Sequence, residues 1–225
     1  MTKLRLFYGH SYRVPTFSDL YWPHIVYSAF YEEQGNLNLK PERGKSYEFN
    51  AERKVLDNLQ LKLGYFRNDV NDLIKWDTDS TGVLWQPQNI TSATIQGVEF
   101  GSNFIINDCL DFGLTYTYER PINNKLHKLL TYQPEYKLNS GLKFHNYRGL
   151  NIRLKWDFVN RNFTNEANTT FLKRYFTVGL ELSKKLNKYA TFFAKMDNMS
   201  NTRYQSRNGY PMPGFSVDGG FKLEF

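Results

Sequence analysis

The sequence predicts an all-β fold: a portion of an antiparallel, up-and-down transmembrane β-barrel, with about ten long strands joined alternately by short turns and long loops. Three observations carry this prediction. Apolar and polar residues alternate with period two from one end of the chain to the other, so that each strand has one apolar and one polar face. Several of these runs extend over about 10–14 residues, enough for a tilted strand to cross a bilayer and longer than a usual soluble strand. Aromatic residues make up 17% of the chain, with 18 Phe and 16 Tyr, a composition that favours strands over helices.

The runs follow one another along the whole chain. In 3–12, Leu4, Leu6 and Tyr8 alternate with Lys3, Arg5 and Phe7, so the chain is expected to begin inside a strand, as a piece of a larger barrel would. After 43–54 comes 59–76, in which Leu59, Leu61, Leu63 and Tyr65 share a face opposite Gln60, Lys62 and Gly64. The run 90–105 places Val98 and Phe100 opposite Glu99, and 111–120 places Phe112, Leu114, Tyr116 and Tyr118 opposite Asp111, Thr115, Thr117 and Glu119. Next come 132–145, with Tyr136, Leu138, Leu142 and Phe144 on one face, and 150–161, with Ile152, Leu154, Trp156 and Phe158 opposite Asn151, Arg153, Lys155 and Asp157. The last three are 172–185, 189–197 (apolar on both faces) and 213–225, whose Val217, Phe221, Leu223 and Phe225 alternate with Asp218, Lys222 and Glu224.

Short polar turns are expected at 55–58, 107–110, 146–149 and 186–188, and long links at 13–42, 77–89, 121–131, 162–171 and 198–212. A meander whose two ends differ in this way matches an outer-membrane barrel, with short periplasmic turns and long extracellular loops. The charged face suits a water-filled lumen, and aromatics near strand ends suit an interfacial girdle. A soluble β-sandwich also alternates, and a soluble carbohydrate-binding β-domain with Trp and Tyr platforms is the reading that solubility without detergent would favour.

Several other classes are poorly supported. The net charge of +7 is spread along the chain without a Lys/Arg block, which argues against nucleic acid as a partner. The single Cys109 gives neither a disulfide nor a metal site, and the four histidines have no ligand spacing, so no metal, cofactor or catalytic residue is expected and the chain reads as no enzyme. No apolar run is long enough for a transmembrane helix, and the first residues lack the pattern of a signal peptide.

Four ordered blocks resemble TonB-dependent outer-membrane receptors. "SYRVPTFSDLYW…GNLNLKPERGKSYEF" is similar to that family's F-R-x-P-(T/S)-F-x-(D/E)-L-Y … G-N-P-(N/D)-L-K-P-E segment, matching at Arg13, Pro15, Phe17, Asp19, Leu20, Tyr21, Gly35, Asn36, Leu39, Lys40, Pro41 and Glu42. "QNITSATIQGVEF" matches its G-(V/L)-E-F strand through Gly97 and Glu99, and "FFAKMDNMSNTRY" its penultimate strand through Asp197 and Asn198. "PGFSVDGGFKLEF" resembles its terminus. Leu37 stands where the family usually has Pro, and Phe215 where Arg is common.

The resemblance, nearest in wording to cobalamin and iron-chelate receptors, implies that residues 1–225 are a single C-terminal barrel segment, without the plug domain and the N-terminal strands. It implies the bacterial outer membrane as the location, and uptake of a scarce bulky solute (siderophore, haem, cobalamin or similar). This chain would supply wall and extracellular capture loops, and TonB would act only through the plug. Partners implied are outer-membrane lipid, a small chelate or vitamin ligand, and the barrel assembly machinery reading a terminal signal at Phe221, Leu223 and Phe225. Ligand contact is expected from loop aromatics and polar residues: Tyr21, Trp22, His24, Tyr27, Tyr31, Trp85, Gln86, Arg120, Arg161, Tyr204, Arg207 and Tyr210. In the first long link, "FSDLYW" is read as the top of an outward-going strand. A passive porin-like or adhesin barrel would share the alternation but lack these blocks. An open or irregularly closed sheet is expected, since strands taken from a larger barrel leave two edges.

Overall fold

The computed structural model describes residues 1–79 and 81–224. Ten long strands form one antiparallel meander: β1 (Thr2–Arg13), β4 (Glu42–Leu56), β5 (Leu59–Thr78), β6 (Leu84–Asn107), β7 (Leu110–Asn123), β9 (Tyr136–Tyr147), β10 (Leu150–Val159), β13 (Tyr175–Lys185), β14 (Ala190–Asp197) and β17 (Ser216–Leu223). The intervening labels belong to short strands within the connections: β2 (Ile25–Ser28), β3 (Tyr31–Glu33), β8 (Lys128–Leu129), β11 (Asn162–Phe163), β12 (Phe171–Leu172), β15 (Gln205–Arg207) and β16 (Tyr210–Pro211). The strand count therefore exceeds the expected ten, because the long connections fold into small hairpins of their own. Strand order runs from β1 to β17, and among the described residues these two edges do not pair. No helix is long and apolar enough to cross a membrane, which says nothing about strands.

Register converts the alternation into two continuous faces. One row reads Leu4–Ala51–Leu63–Phe100–Tyr116–Leu138–Phe158–Phe176 across eight strands, and the next reads Leu6–Phe49–Tyr65–Val98–Tyr118–Tyr136. The adjacent row on the opposite face reads Lys3–Glu52–Lys62–Gly101–Thr115–Asn139–Asp157–Thr177. Shifting any one strand by a residue would put charges into the apolar row, so the pattern fixes the pairing. On the polar face the rows are stitched by Gln60 donating to Glu52 (2.5 Å), Asn139 donating to Asp157 (2.6 Å) and the Arg153–Glu181 pair (3.5 Å).

The apolar face has no protein cover. Ile74 and Ala93 are the only buried hydrophobic residues among those described, while Leu63 is 55% and Phe221 65% exposed. The chain presents 15144 Å² to its surroundings, whereas a soluble globule of this mass would present about 11,000 Å². A single layer with one bare apolar face is stable where that face meets lipid rather than water.

The short turns lie at one end and are built as their sequences require. Arg148 (φ 50°) and Gly149 (φ 76°) form a hairpin turn with two left-handed residues. The amides of Cys109 and Tyr189 donate to the side chains of Asn107 and Asn187.

Two expectations for the other end need correction. The segment from Phe17 to Tyr21 is a one-turn helix, α1, and not the top of a strand. Its signal is a capping box: the Asp19 amide donates to the Thr16 hydroxyl (3.1 Å), and the Thr16 amide donates to the Asp19 carboxylate (2.9 Å). The second correction is the link 77–89, which is mostly strand. β5 and β6 have 20 and 24 residues and stay paired to Thr78–Trp85, well past what a bilayer needs. Pro87 and a run of polar residues hide this hairpin from a periodicity reading, yet Pro87 is fully buried beneath the first long connection.

Candidate functional site

All five long connections lie at the end opposite the short turns, and their bases are locked by side chains acting as strand partners. β4 begins at Glu42, so Ile74 lies beyond the last residue of β5 that β4 can pair. The Glu42 carboxylate accepts the Ile74 amide (2.7 Å) and a bond from Arg13 (2.5 Å), while Arg13 also donates to the Ile74 carbonyl (3.4 Å). Asn89 repeats the device: its carbonyl accepts from the Lys40 amide (2.7 Å), and its amide donates to the carbonyls of Lys40 (2.9 Å) and Asp72 (2.6 Å). The Asn36 side chain donates to the Pro87 carbonyl (3.0 Å), and its backbone amide donates to the Asp19 carbonyl (2.8 Å). Gly35 leaves room for this crossing: a Cβ there would lie 2.6 Å from both the Leu20 carbonyl oxygen and the Trp22 nitrogen.

The motif residues Arg13, Asp19, Gly35, Asn36, Lys40 and Glu42 thus belong to one structural knot. Asp19 is buried, and it accepts from the Trp76 indole (3.0 Å) as well as from Thr16. Burial opposes its ionisation, but the bonds from Thr16 and Trp76 and the charge of Arg13 outweigh this and hold its carboxyl below the usual value. In the second motif, Gly97 lies between Phe66 and Glu119 in register, and a Cβ there would be 2.2 Å from the Tyr118 carbonyl oxygen. In the third, Asn198 (φ 49°) donates to the carbonyls of Thr202 (2.9 Å) and Pro213 (3.1 Å), closing the last long connection.

Above this knot the candidate contact residues fall into separate groups. Tyr21 ends α1, and Trp22 follows it. Trp22, Tyr27 and Tyr31 all donate to Glu33, at 3.1, 3.4 and 2.7 Å, and His24 pairs with Glu32 at 2.8 Å. The bond to Glu33 raises the Tyr31 phenol above its ordinary pKa. β3 runs parallel to β6 here, pairing Glu33 with Trp85, so Trp85 and Gln86 stand in a strand beside the cluster and not in a loop. Pairwise contact of the side chains therefore arises through Glu32 and Glu33, adjacent acids too common in sequence to be singled out.

A second group is built from four distant parts of the chain. A cavity of about 230 Å³ is lined by Lys75 of β5, Asn123, Lys128 and Tyr132 around the third long connection, Glu166 of the fourth and Arg207 of the fifth. Arg207 lies over the Tyr132 ring, 4.9 Å from its centroid, and Lys75 pairs with Glu166 across the opening. The Asn168 side chain clamps the Leu129 amide (2.8 Å) and carbonyl (3.0 Å), holding the third and fourth connections together. Nearby, Tyr204 stacks on Tyr175 at 4.1 Å, and Tyr210 is exposed on β16. Of the residues expected to make contact, only Arg207 lines this cavity; Lys75, Tyr132 and Glu166 carry no local sequence signal, since only the fold brings them together.

Two candidates lie elsewhere. Arg120 pairs with Gln96 in the row Tyr47–Arg67–Gln96–Arg120, on the apolar face just beyond the aromatic row. Arg161 packs over Phe163 and Phe171, at 5.6 and 5.4 Å. At the terminus, Phe221 and Leu223 pair on the apolar face with Phe192 and Ala190, and Phe225 lies outside the described residues. No group of three or more His, Cys, Asp or Glu among the described residues could hold a metal ion.

Comparison with known proteins matches residues 2–199 to the family described as TonB dependent receptor-like, beta-barrel. The vitamin B12 transporter BtuB of Vibrio vulnificus is 38% identical over 96 residues, covering 43% of this chain and 14% of that protein. The ferric enterobactin receptor PfeA of Pseudomonas aeruginosa superposes with a TM-score of 0.80 at 21% identity, covering 100% of this chain and 38% of that one. The siderophore receptor PirA of Acinetobacter baumannii gives 0.76 at 18% identity, covering 100% of this chain and 39% of its own. The chain thus spans well under half the length of these proteins, and the structural likeness speaks for the fold.

Proposed function

Since the chain belongs to the TonB-dependent receptor β-barrel family, whose members are bacterial outer-membrane proteins, we propose that it serves energised uptake of a scarce bulky solute as wall and capture surface. In this reading the long connections face the outside, and TonB acts through a plug domain and not through these residues. The barrel assembly machinery reads the apolar terminal strand that carries Phe221 and Leu223. The observation that carries the proposal is the cavity at the mouth, where β5 and three long connections converge. A passive pore needs no such convergence of groups held by cross-connection clamps.

The cavity's chemistry favours an anionic solute bearing rings. Glu166 is taken up by Lys75, which leaves Lys128 and Arg207 to supply charge, and Tyr132 supplies a ring already in contact with Arg207. The aromatic cluster of Trp22, His24, Tyr27, Tyr31 and Trp85 forms a second contact surface, with Tyr204 and Tyr210 on the fifth connection. A ferric catecholate chelate, anionic and ring-bearing, fits this better than a neutral solute. The BtuB similarity favours cobalamin as the second candidate.

The test compares uptake of ferric enterobactin and cyanocobalamin by cells whose only receptor carries this chain. Uptake of one of them that stops when the inner-membrane proton gradient is collapsed supports the proposal, and Arg207→Ala should weaken its binding about 10-fold or more. Uptake that ignores the gradient would identify a passive barrel instead.

A further inference from the structure

The tip of the last long connection carries a chemistry that solute capture does not use. Asn208–Gly209 is the single Asn-Gly step in the sequence. It forms the two-residue turn of the β15–β16 hairpin, where Arg207 pairs with Tyr210. Gly209 has a φ of 82°, the left-handed conformation that such a turn requires. Both residues are exposed, and a Cβ on Gly209 would meet no atom within 4 Å, so water reaches the turn freely. Among the described residues the Asn208 side chain makes no hydrogen bond. The turn residues Asn107 and Asn187, by contrast, have their side-chain oxygens tied by the amides of Cys109 and Tyr189.

Little holds this hairpin together. β15 and β16 form a sheet of their own with an irregular register, and they pair with no strand of the wall. The Met212 amide donates to the Tyr204 carbonyl at its base (3.0 Å), and the Gly209 amide donates to the Gln205 side-chain oxygen at its turn (3.1 Å). An isolated two-stranded hairpin is marginally stable in water, so it opens readily. Asn139, followed by the small Ser140, is the opposite case: it lies inside β9, paired with Thr115 on one side and Asp157 on the other.

An exposed asparagine before glycine is open to attack by its own backbone. The Gly209 nitrogen loses its proton and bonds to the Asn208 Cγ, the bond from Cγ to the side-chain nitrogen breaks, and that nitrogen leaves as ammonia. Water then adds to a carbonyl of the cyclic succinimide and reopens it to aspartate or isoaspartate. Water is the only co-reactant, and nothing is oxidised or reduced. Glycine has no Cβ to crowd the attacking nitrogen. The bond to Gln205 holds the Gly209 N–H away from this reaction and must break first.

We propose that Asn208–Gly209 is a site of spontaneous deamidation, restrained by Gln205, that places a carboxylate next to Arg207. Either product sets a negative charge beside the cation that lies over Tyr132 in the mouth cavity. Isoaspartate also lengthens the backbone within a turn that has no slack. The loss of anion capture that follows rests on the function proposed above; the modification itself does not.

The purified chain in detergent is incubated in mildly alkaline buffer beside a free peptide of residues 204–212. Acidic forms are separated by ion exchange and located by peptide mass spectrometry, and isoaspartate is identified by enzymatic methylation. The folded chain should deamidate at Asn208 within about tenfold of the peptide's rate, and faster there than at Asn139, Asn107 or Asn187. Gln205→Ala should raise the rate about threefold, and Asn208→Ser should remove this acidic form. A rate at Asn208 more than about tenfold below the peptide's, or faster deamidation at Asn139, overturns the site. An unchanged or lower rate in Gln205→Ala overturns the restraint. None of these readings involves a solute, so a failed uptake assay leaves them intact.

Discussion

Replacing Glu42 by Ala tests whether the first motif block is a structural lock. Glu42 is 9% exposed and Ile74 8%, so the Ile74 amide loses its acceptor where water hardly reaches. An orphaned buried N–H costs about 1–3 kcal/mol. The Arg13 side chain is 50% exposed, so the lost charge pair adds only about 0.5–1 kcal/mol. The sum is about 1.5–4 kcal/mol, which for a chain of this size lowers the melting temperature by about 3–16 °C. Glu42→Gln keeps an oxygen for the Ile74 amide and loses only the charge, so it should cost about 1 kcal/mol or less. The assay is thermal unfolding in detergent, followed by circular dichroism and by loss of the folded band on an unheated gel. If Gln destabilises as much as Ala, the acceptor role is wrong. If neither changes the midpoint, the motif is not a structural lock.

Two more predictions concern the same end of the molecule and the wall. The Asp19 carboxyl titrates below its ordinary value of 3.8 in the fold, so its contribution is fully present above that pH and is lost as pH falls through the depressed value. The protection of the α1 amides, measured as exchange relative to an unstructured peptide at the same pH, should therefore be unchanged between about pH 7 and 5 and fall on further acidification, and Asp19→Asn should abolish that dependence. Gly97→Ala forces a Cβ to within 2.2 Å of the Tyr118 carbonyl oxygen, parting β6 from β7. It should cost about 1–3 kcal/mol or more and reduce assembled protein in the outer membrane; wild-type yield and melting temperature would show that the contact is not limiting.

The wall was legible in the sequence because its signal is local. Leu59, Leu61, Leu63 and Tyr65 announce a strand and its facing without reference to any other residue, and lipid on one side with a polar interior on the other repeats that alternation through most of the ten strands. The short turns were legible for the same reason, since Arg148–Gly149 and the Asn-led turns carry their geometry in their own residues. The helix at Phe17–Tyr21 had a local signal as well, the Thr16–Asp19 capping box, but the surrounding aromatics invited a strand reading.

The mouth was decided by tertiary structure. Polar residues and Pro87 break the period of β6, and only burial under the first connection, with Asn36 donating to the Pro87 carbonyl, shows why the strand continues. Arg120 and Arg207 looked alike as arginines in or near loops. Register puts Arg120 on the apolar rim, and the meeting of β5 with the later connections puts Arg207 into a cavity with Tyr132 and near the Lys75–Glu166 pair. By itself the sequence determined which residues face lipid, because each strand carries that information in alternate positions. Which side chains from separate connections meet was left to the fold, because those encounters depend on register summed across several strands and on no pattern within any one of them.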